Sequence, residues 1–68
     1  MKLAIDGMTC GHCVRAVTEA LERVPGATNV VVSLERREAS VDGVDVAAAV
    51  KAVEAEGYAA RPAPESGG

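Results

Sequence analysis

Leu3 and Ile5 share one face while Lys2 and Asp6 point outward, which predicts a short, half-buried β-strand over 2–6. Gly7 to Cys13 breaks the alternation and reads as a turn. From about His12 to Val24 the period lengthens. Val14, Val17, Leu21 and Val24 recur at spacings of three and four, while Arg15, Glu19, Glu22 and Arg23 face water. That is the pattern of an amphipathic helix. Pro25-Gly26 ends it, because the residue before a proline resists helical geometry. Residues 27–34 read as a second strand, with Val30, Val32 and Leu34 on one face, and Glu35-Arg36-Arg37-Glu38 as a polar turn. Ala39 and Val41, alternating with Ser40 and Asp42, predict a third strand. Asp45 is placed as the N-cap of a second helix with the stripe Val46, Ala49, Val50 and Val53. Gly57 stands just past its end. Residues 58–62 make a last short strand, in which Pro62 is tolerable only at a sheet edge.

The order strand, helix, strand, strand, helix, strand predicts an α+β fold. A four-stranded antiparallel sheet covered on one face by two helices, the ferredoxin-like βαββαβ arrangement, gives every apolar stripe a place in one two-layer core. Residues 1–63 are expected to form one domain. Pro64-Glu65-Ser66-Gly67-Gly68 reads as a short polar tail over 64–68 or as the start of a linker.

Composition narrows the function. At 68 residues the core is marginal in size. Its material is 11 Val and 13 Ala against three Leu, one Tyr, no Phe and no Trp. Such a core is thin and close-packed, with no room for the deep substrate pocket of an enzyme. Seven Lys and Arg against ten Asp and Glu give a net charge of −3, with the bases scattered. Nucleic-acid binding wants clustered positive charge and aromatic platforms, so it is excluded. No apolar run approaches the length of a membrane span. The first strand meets Asp6 and Gly7 too soon for a signal peptide. The expectation is a cytosolic protein with no membrane insertion.

The remaining chemistry is Cys10-Gly11-His12-Cys13. Two thiols this close in an otherwise cysteine-free chain suggest metal binding or redox work rather than a disulfide framework. Both sulfurs can converge on one ion, and soft thiolates favour Cu(I), Zn(II) and similar metals. Cys13 falls in the first helical turn, where free N–H groups and the dipole favour thiolate. Cys10 lies on the looser loop. Two ligands, one of them mobile, suit Cu(I), whereas a closed structural zinc site wants four. His12 is the nearby candidate for a third ligand and is placed on the solvent side. The uneventful alternatives are free thiols without function, or a thioredoxin-like redox pair, for which the chain is short and the element order wrong.

Gly7-Met8-Thr9-Cys10-Gly11-His12-Cys13, set between one strand and one helix, resembles the metal-binding loop of the heavy-metal-associated domain family, and most of all its bacterial copper chaperones. Element order, the Pro25-Gly26 break and Glu56-Gly57-Tyr58 extend the resemblance over residues 1–63. It implies a surface Cu(I) site at Cys10 and Cys13 and delivery to the N-terminal metal-binding domain of a copper-transporting P-type ATPase. A copper-responsive regulator is a further implied partner. The apo chain is then a monomer, and copper can bridge two copies. Met8 is implied to pack inward beneath the loop, and Tyr58 to stand close to the thiols. Thr9 stands where zinc- and cadmium-handling relatives often carry an acid, which favours copper. Mercury-binding relatives are typically exported, and no signal is seen here. A chain that starts directly at its first strand suits a free-standing chaperone, while the 64–68 stretch equally suits a domain of such an ATPase.

Overall fold

The computed structural model describes residues 1–63. Six elements run through them: β1 (Lys2–Asp6), α1 (Gly11–Glu22), β2 (Thr28–Ser33), β3 (Glu38–Asp42), α2 (Val46–Ala55) and β4 (Ala59–Ala63). The sheet order is β2-β3-β1-β4, and every neighbouring pair is antiparallel. α1 packs over β2, α2 over β4, and the two helices touch. This is the expected ferredoxin-like arrangement; the polar stretch 64–68 lies outside the described residues.

The core follows from the alternation. Leu3 and Ile5 of the central strand β1 lie between Ala39 and Val41 of β3 and the half-buried Ala60 of β4. Over them close Val17 and Leu21 from α1 and Ala49 and Val53 from α2, with Met8 beneath the loop. Small residues on the flanking strands leave room for the larger ones at the centre, which is how a Val- and Ala-rich core reaches close packing. Among the described residues no polar side chain is buried.

Three expectations need correction. α1 ends at Glu22, before the proline, so Val24 belongs to the following turn and Ala20 takes its place among the buried residues. The alternation through Val30 and Val32 stops at Ser33, and Leu34 is exposed in the β2–β3 turn. That tight turn needs a left-handed residue, supplied by Arg37 at φ 55°. Val46 sits at the start of α2 and is exposed. Asp45 is the N-cap by position, with an extended backbone and a carbonyl that accepts from the Ala49 N–H, but its carboxylate makes no capping bond. Pro62 lies in β4, which is an edge strand.

The α1–β2 and β3–α2 connections meet at Gly26 and Gly43, both left-handed at φ 89° and 83°. A Cβ on Gly43 would overlap the Gly26 carbonyl, and one on Gly26 would come within 2.8 Å of the Gly43 carbonyl oxygen. Backbone presses on backbone there, at the end of the molecule opposite the β1–α1 loop.

Candidate functional site

β1 delivers the chain to Gly7, whose φ of 94° turns it out of the sheet. Met8 then drops back into the core, 1% exposed, and pins the loop from below. Thr9 and Cys10 are left on the surface. Cys10 is the N-cap of α1 with φ −157° and no side-chain cap bond. Its carbonyl accepts from the N–H groups of Cys13 and Val14 at 3.1 and 3.2 Å. The first turn of α1 holds no acidic side chain. Cys13, in that first turn, is therefore the group best placed to become negative at this helix terminus.

The thiols are free and stand 3.7 Å apart, Cys10 exposed and Cys13 half-buried. The Cys13 sulfur also lies 4.0 Å from the Gly7 carbonyl. Its pKa is lowered to about 6, chiefly by the Tyr58 hydroxyl beside it, then by the Thr9 backbone, with burial opposing and Cys10 adding a smaller lowering. The Tyr58 hydroxyl is pushed up in return, first by its bond to Cys13 and then by burial and by Cys10 and Glu56, so it stays a neutral donor. The ring of Tyr58 lies against the loop at Gly7, which is glycine because its φ of 94° is left-handed.

The structure thus brings Cys10, Cys13, Tyr58 and the backbone of Thr9 together, with Met8 as the anchor below. It sets His12 apart, exposed beside Gly11 and Arg15 around a surface hollow. Among the described residues no group of three or more His, Cys, Asp and Glu side chains is positioned to share an ion. Thr9 acts through its backbone, which sequence cannot foresee. The nearness of Gly7 to Tyr58 depends on how the chain after α2 meets the loop, while Glu56 stands close to Tyr58 in the sequence itself. What the pair can do chemically is bind one soft ion at the surface, with one sulfur held and the other accessible.

Among the described residues no helix is long and apolar enough to cross a membrane. The heavy-metal-associated domain family matches residues 2–59. The chain is 44% identical, over 97% of its length, to a segment of Copper-transporting ATPase 1 of Rhizobium meliloti (strain 1021), and spans 8% of that protein. It is 42% identical over 87% of its length to part of a Mercuric reductase of Shewanella putrefaciens, spanning 11% of it. It is 42% identical to the Copper chaperone CopZ of Staphylococcus aureus (strain bovine RF122 / ET3-1), with 82% of this chain and 88% of that protein covered. The solved structure of a CopZ metallochaperone superposes with a TM-score of 0.84 at 37% identity, covering 90% of this chain and 97% of the other.

Proposed function

The chain belongs to the heavy-metal-associated domain family, and from that premise we propose that it carries Cu(I) on Cys10 and Cys13 in the cytoplasm and hands it to the N-terminal metal-binding domain of a copper-transporting P-type ATPase. The observation that carries this reading is the pair of surface thiols 3.7 Å apart with, among the described residues, no third side-chain ligand beside them. A structural zinc site would want four ligands. Two thiolates suit Cu(I) among the soft metals.

The ion is cargo, and the step is ligand exchange rather than catalysis. With the two sulfurs 3.7 Å apart at the surface, Cys10 exposed and Cys13 half-buried, a third sulfur can reach an ion bound between them. A thiolate of the docked partner takes that position, the accessible Cys10 leaves, and Cys13 follows. No step requires a free ion. Uptake displaces whatever protons the thiols still carry, so binding weakens as pH falls.

A second reading, the regulatory domain of such an ATPase, is supported by the 44% identity to the ATPase segment over nearly the whole chain. It uses the same site and chemistry. The test of the site is an anaerobic titration of the reduced protein with Cu(I) against a chromophoric chelator, repeated with Zn(II) and Hg(II). Tight Cu(I) binding that needs both cysteines, with much weaker Zn(II) binding, supports the reading. A preference for Zn(II) or Hg(II) replaces copper as cargo.

A further inference from the structure

The sheet ends in two edges, β2 and β4, and the two are not alike. An edge strand leaves a row of backbone N–H and C=O groups without a partner, and proteins guard such rows with prolines, charges or bulges. β4 carries Arg61 and Pro62. β2 contains neither a charge nor a proline. Its guard is a bulge near its start, between Thr28 and Val31, where Asn29 is left-handed at φ 52°. From Val31 to Ser33 the strand pairs regularly with β3, and its outer row stands open.

The exposed apolar surface gathers at the same edge. Among the described residues the exposed large hydrophobics are Val31 at 63%, Leu34 at 38% and Val46 at 37%. The first two belong to β2 and the turn that follows it. Val30 and Val32 pack toward the core, so Val31 stands on the face away from the helices, beside a shallow hollow that Lys2, Ser33 and Ser40 help to line. The two ends of the edge differ in charge. Arg36 and Arg37 stand in the turn after β2, with Glu35 as the acid among them. No ion pair among the described residues engages either arginine. At the other end Asp42 lies across from Thr28; its carboxylate holds the Met1 ammonium at 3.4 Å and stays exposed.

We propose that β2 pairs with β2 of a second copy, antiparallel about a two-fold axis at Val31 and without any metal. Val30-Val31-Val32 reads the same in both directions. Such an axis sets Val31 against Val31 on the open face and Val30 against Val32 on the helix side, and β-branched side chains suit cross-strand neighbours. Antiparallel pairing also brings the Arg36–Arg37 turn of each copy to the Asp42 end of the other, and two-fold symmetry makes that contact twice. The valines and the charges together favour a second copy over an unrelated strand. The guarded β4 edges stay outside, so association stops at two. β2 runs parallel to β1, toward the thiol loop. The two thiol loops of the pair therefore point to opposite ends and cannot share an ion, so the proposal stands apart from the thiol reading. An edge this short buries little area, so the pairing is weak and reversible. The dilute chain remains the monomer that the resemblance implies.

The test is sedimentation equilibrium of the reduced chain with a metal chelator present, from about 10 μM to about 1 mM, read beside amide hydrogen exchange. The expected result is a monomer–dimer equilibrium, with the amides of residues 30–33 better protected at high concentration and those of β4 unchanged. Val31→Lys should lower the association constant at least about tenfold, because it sets like charges face to face at the axis. Val46→Lys, at the exposed valine away from the edge, should leave it within about twofold. Melting curves of both variants report folding, and the exchange result on the parent stands whether or not a variant folds. A chain that is monomeric at every concentration overturns the proposal and leaves the edge to a strand of another protein. Association that both variants weaken equally, or that continues past two copies, is non-specific sticking and overturns it too. So does a dimer that protects β4 in place of β2, or one that forms only when Cu(I) is added.

Discussion

At the end away from the thiols, two left-handed glycines hold the connections of α1 and α2 in backbone contact. At the thiol end Gly7 is left-handed as well, but a Cβ there would meet only the Tyr58 ring at an ordinary contact distance. One end uses the missing Cβ to bring backbones together, and the other uses glycine's backbone freedom to turn the loop that carries the sulfurs. Between them lies a core with no buried polar side chain among the described residues. Stability and chemistry are thus separated along the length of a very small molecule. Substitutions should sort accordingly: some should unfold the chain and leave the site intact in whatever remains folded, and others should do the reverse.

The sharpest break should come at the sulfurs. Cys10→Ser or Cys13→Ser should lower Cu(I) affinity by about a thousandfold or more, since a hydroxyl is a poor partner for a soft ion. The melting temperature should hardly move for Cys10→Ser, whose side chain is exposed, and should fall slightly for Cys13→Ser, whose side chain packs against the core. Normal affinity in either variant would place the site elsewhere.

Gly43→Ala should do the opposite. Overlap with the Gly26 carbonyl plus a left-handed alanine should cost about 2–4 kcal/mol, read by urea or thermal unfolding, while Cu(I) affinity of the folded fraction is unchanged. Within the core, Val17→Ala at a fully buried position should cost about 2 kcal/mol, and Val50→Ala at a half-buried one about 1. Equal losses would contradict the helix faces described here.

Smaller effects refine the thiol end. Tyr58→Phe removes the hydroxyl that contributes most to lowering the Cys13 pKa. The pH at which Cys13 ionises should rise from about 6, followed by thiolate absorbance in the apo protein, and Cu(I) affinity should begin to fall at a higher pH. An unchanged titration would return the lowering to the Thr9 backbone and the helix start. Smallest of all, Glu56→Arg should stabilise the isolated chain by about 0.3–1 kcal/mol at low salt, by removing an acid from a helix C-terminus.

Much of this could be read in the chain. Strict alternation at Leu3–Ile5 and Ala39–Val41 located two strands, because a half-buried strand leaves its period in the sequence. The stripe Val14–Val17–Leu21 located α1. The misplaced residues, Val24, Leu34 and Val46, all lie at element ends, where an apolar residue continues the pattern after the backbone has left the element or at its first residue. The thiol pair was legible because two cysteines separated by two residues at a helix start have few other uses. Its surroundings were legible only in part. The resemblance implied Met8 beneath the loop and Tyr58 near the thiols, but Thr9 contributes through its backbone and Gly7 through a left-handed turn, and neither leaves a pattern of side chains in the chain.

The thin core has a last consequence, for the disorder that folding must remove. Alanine has no side-chain rotamers to lose, and valine, branched at Cβ, is stiff about χ1. Of the nine residues of the central cluster five are Val or Ala, and only Leu3, Leu21, Ile5 and Met8 are longer. The chain gains little apolar area per residue, yet it also gives up little side-chain freedom. What it must chiefly overcome is the entropy of its backbone, and that is what two short helices and a four-stranded sheet confine.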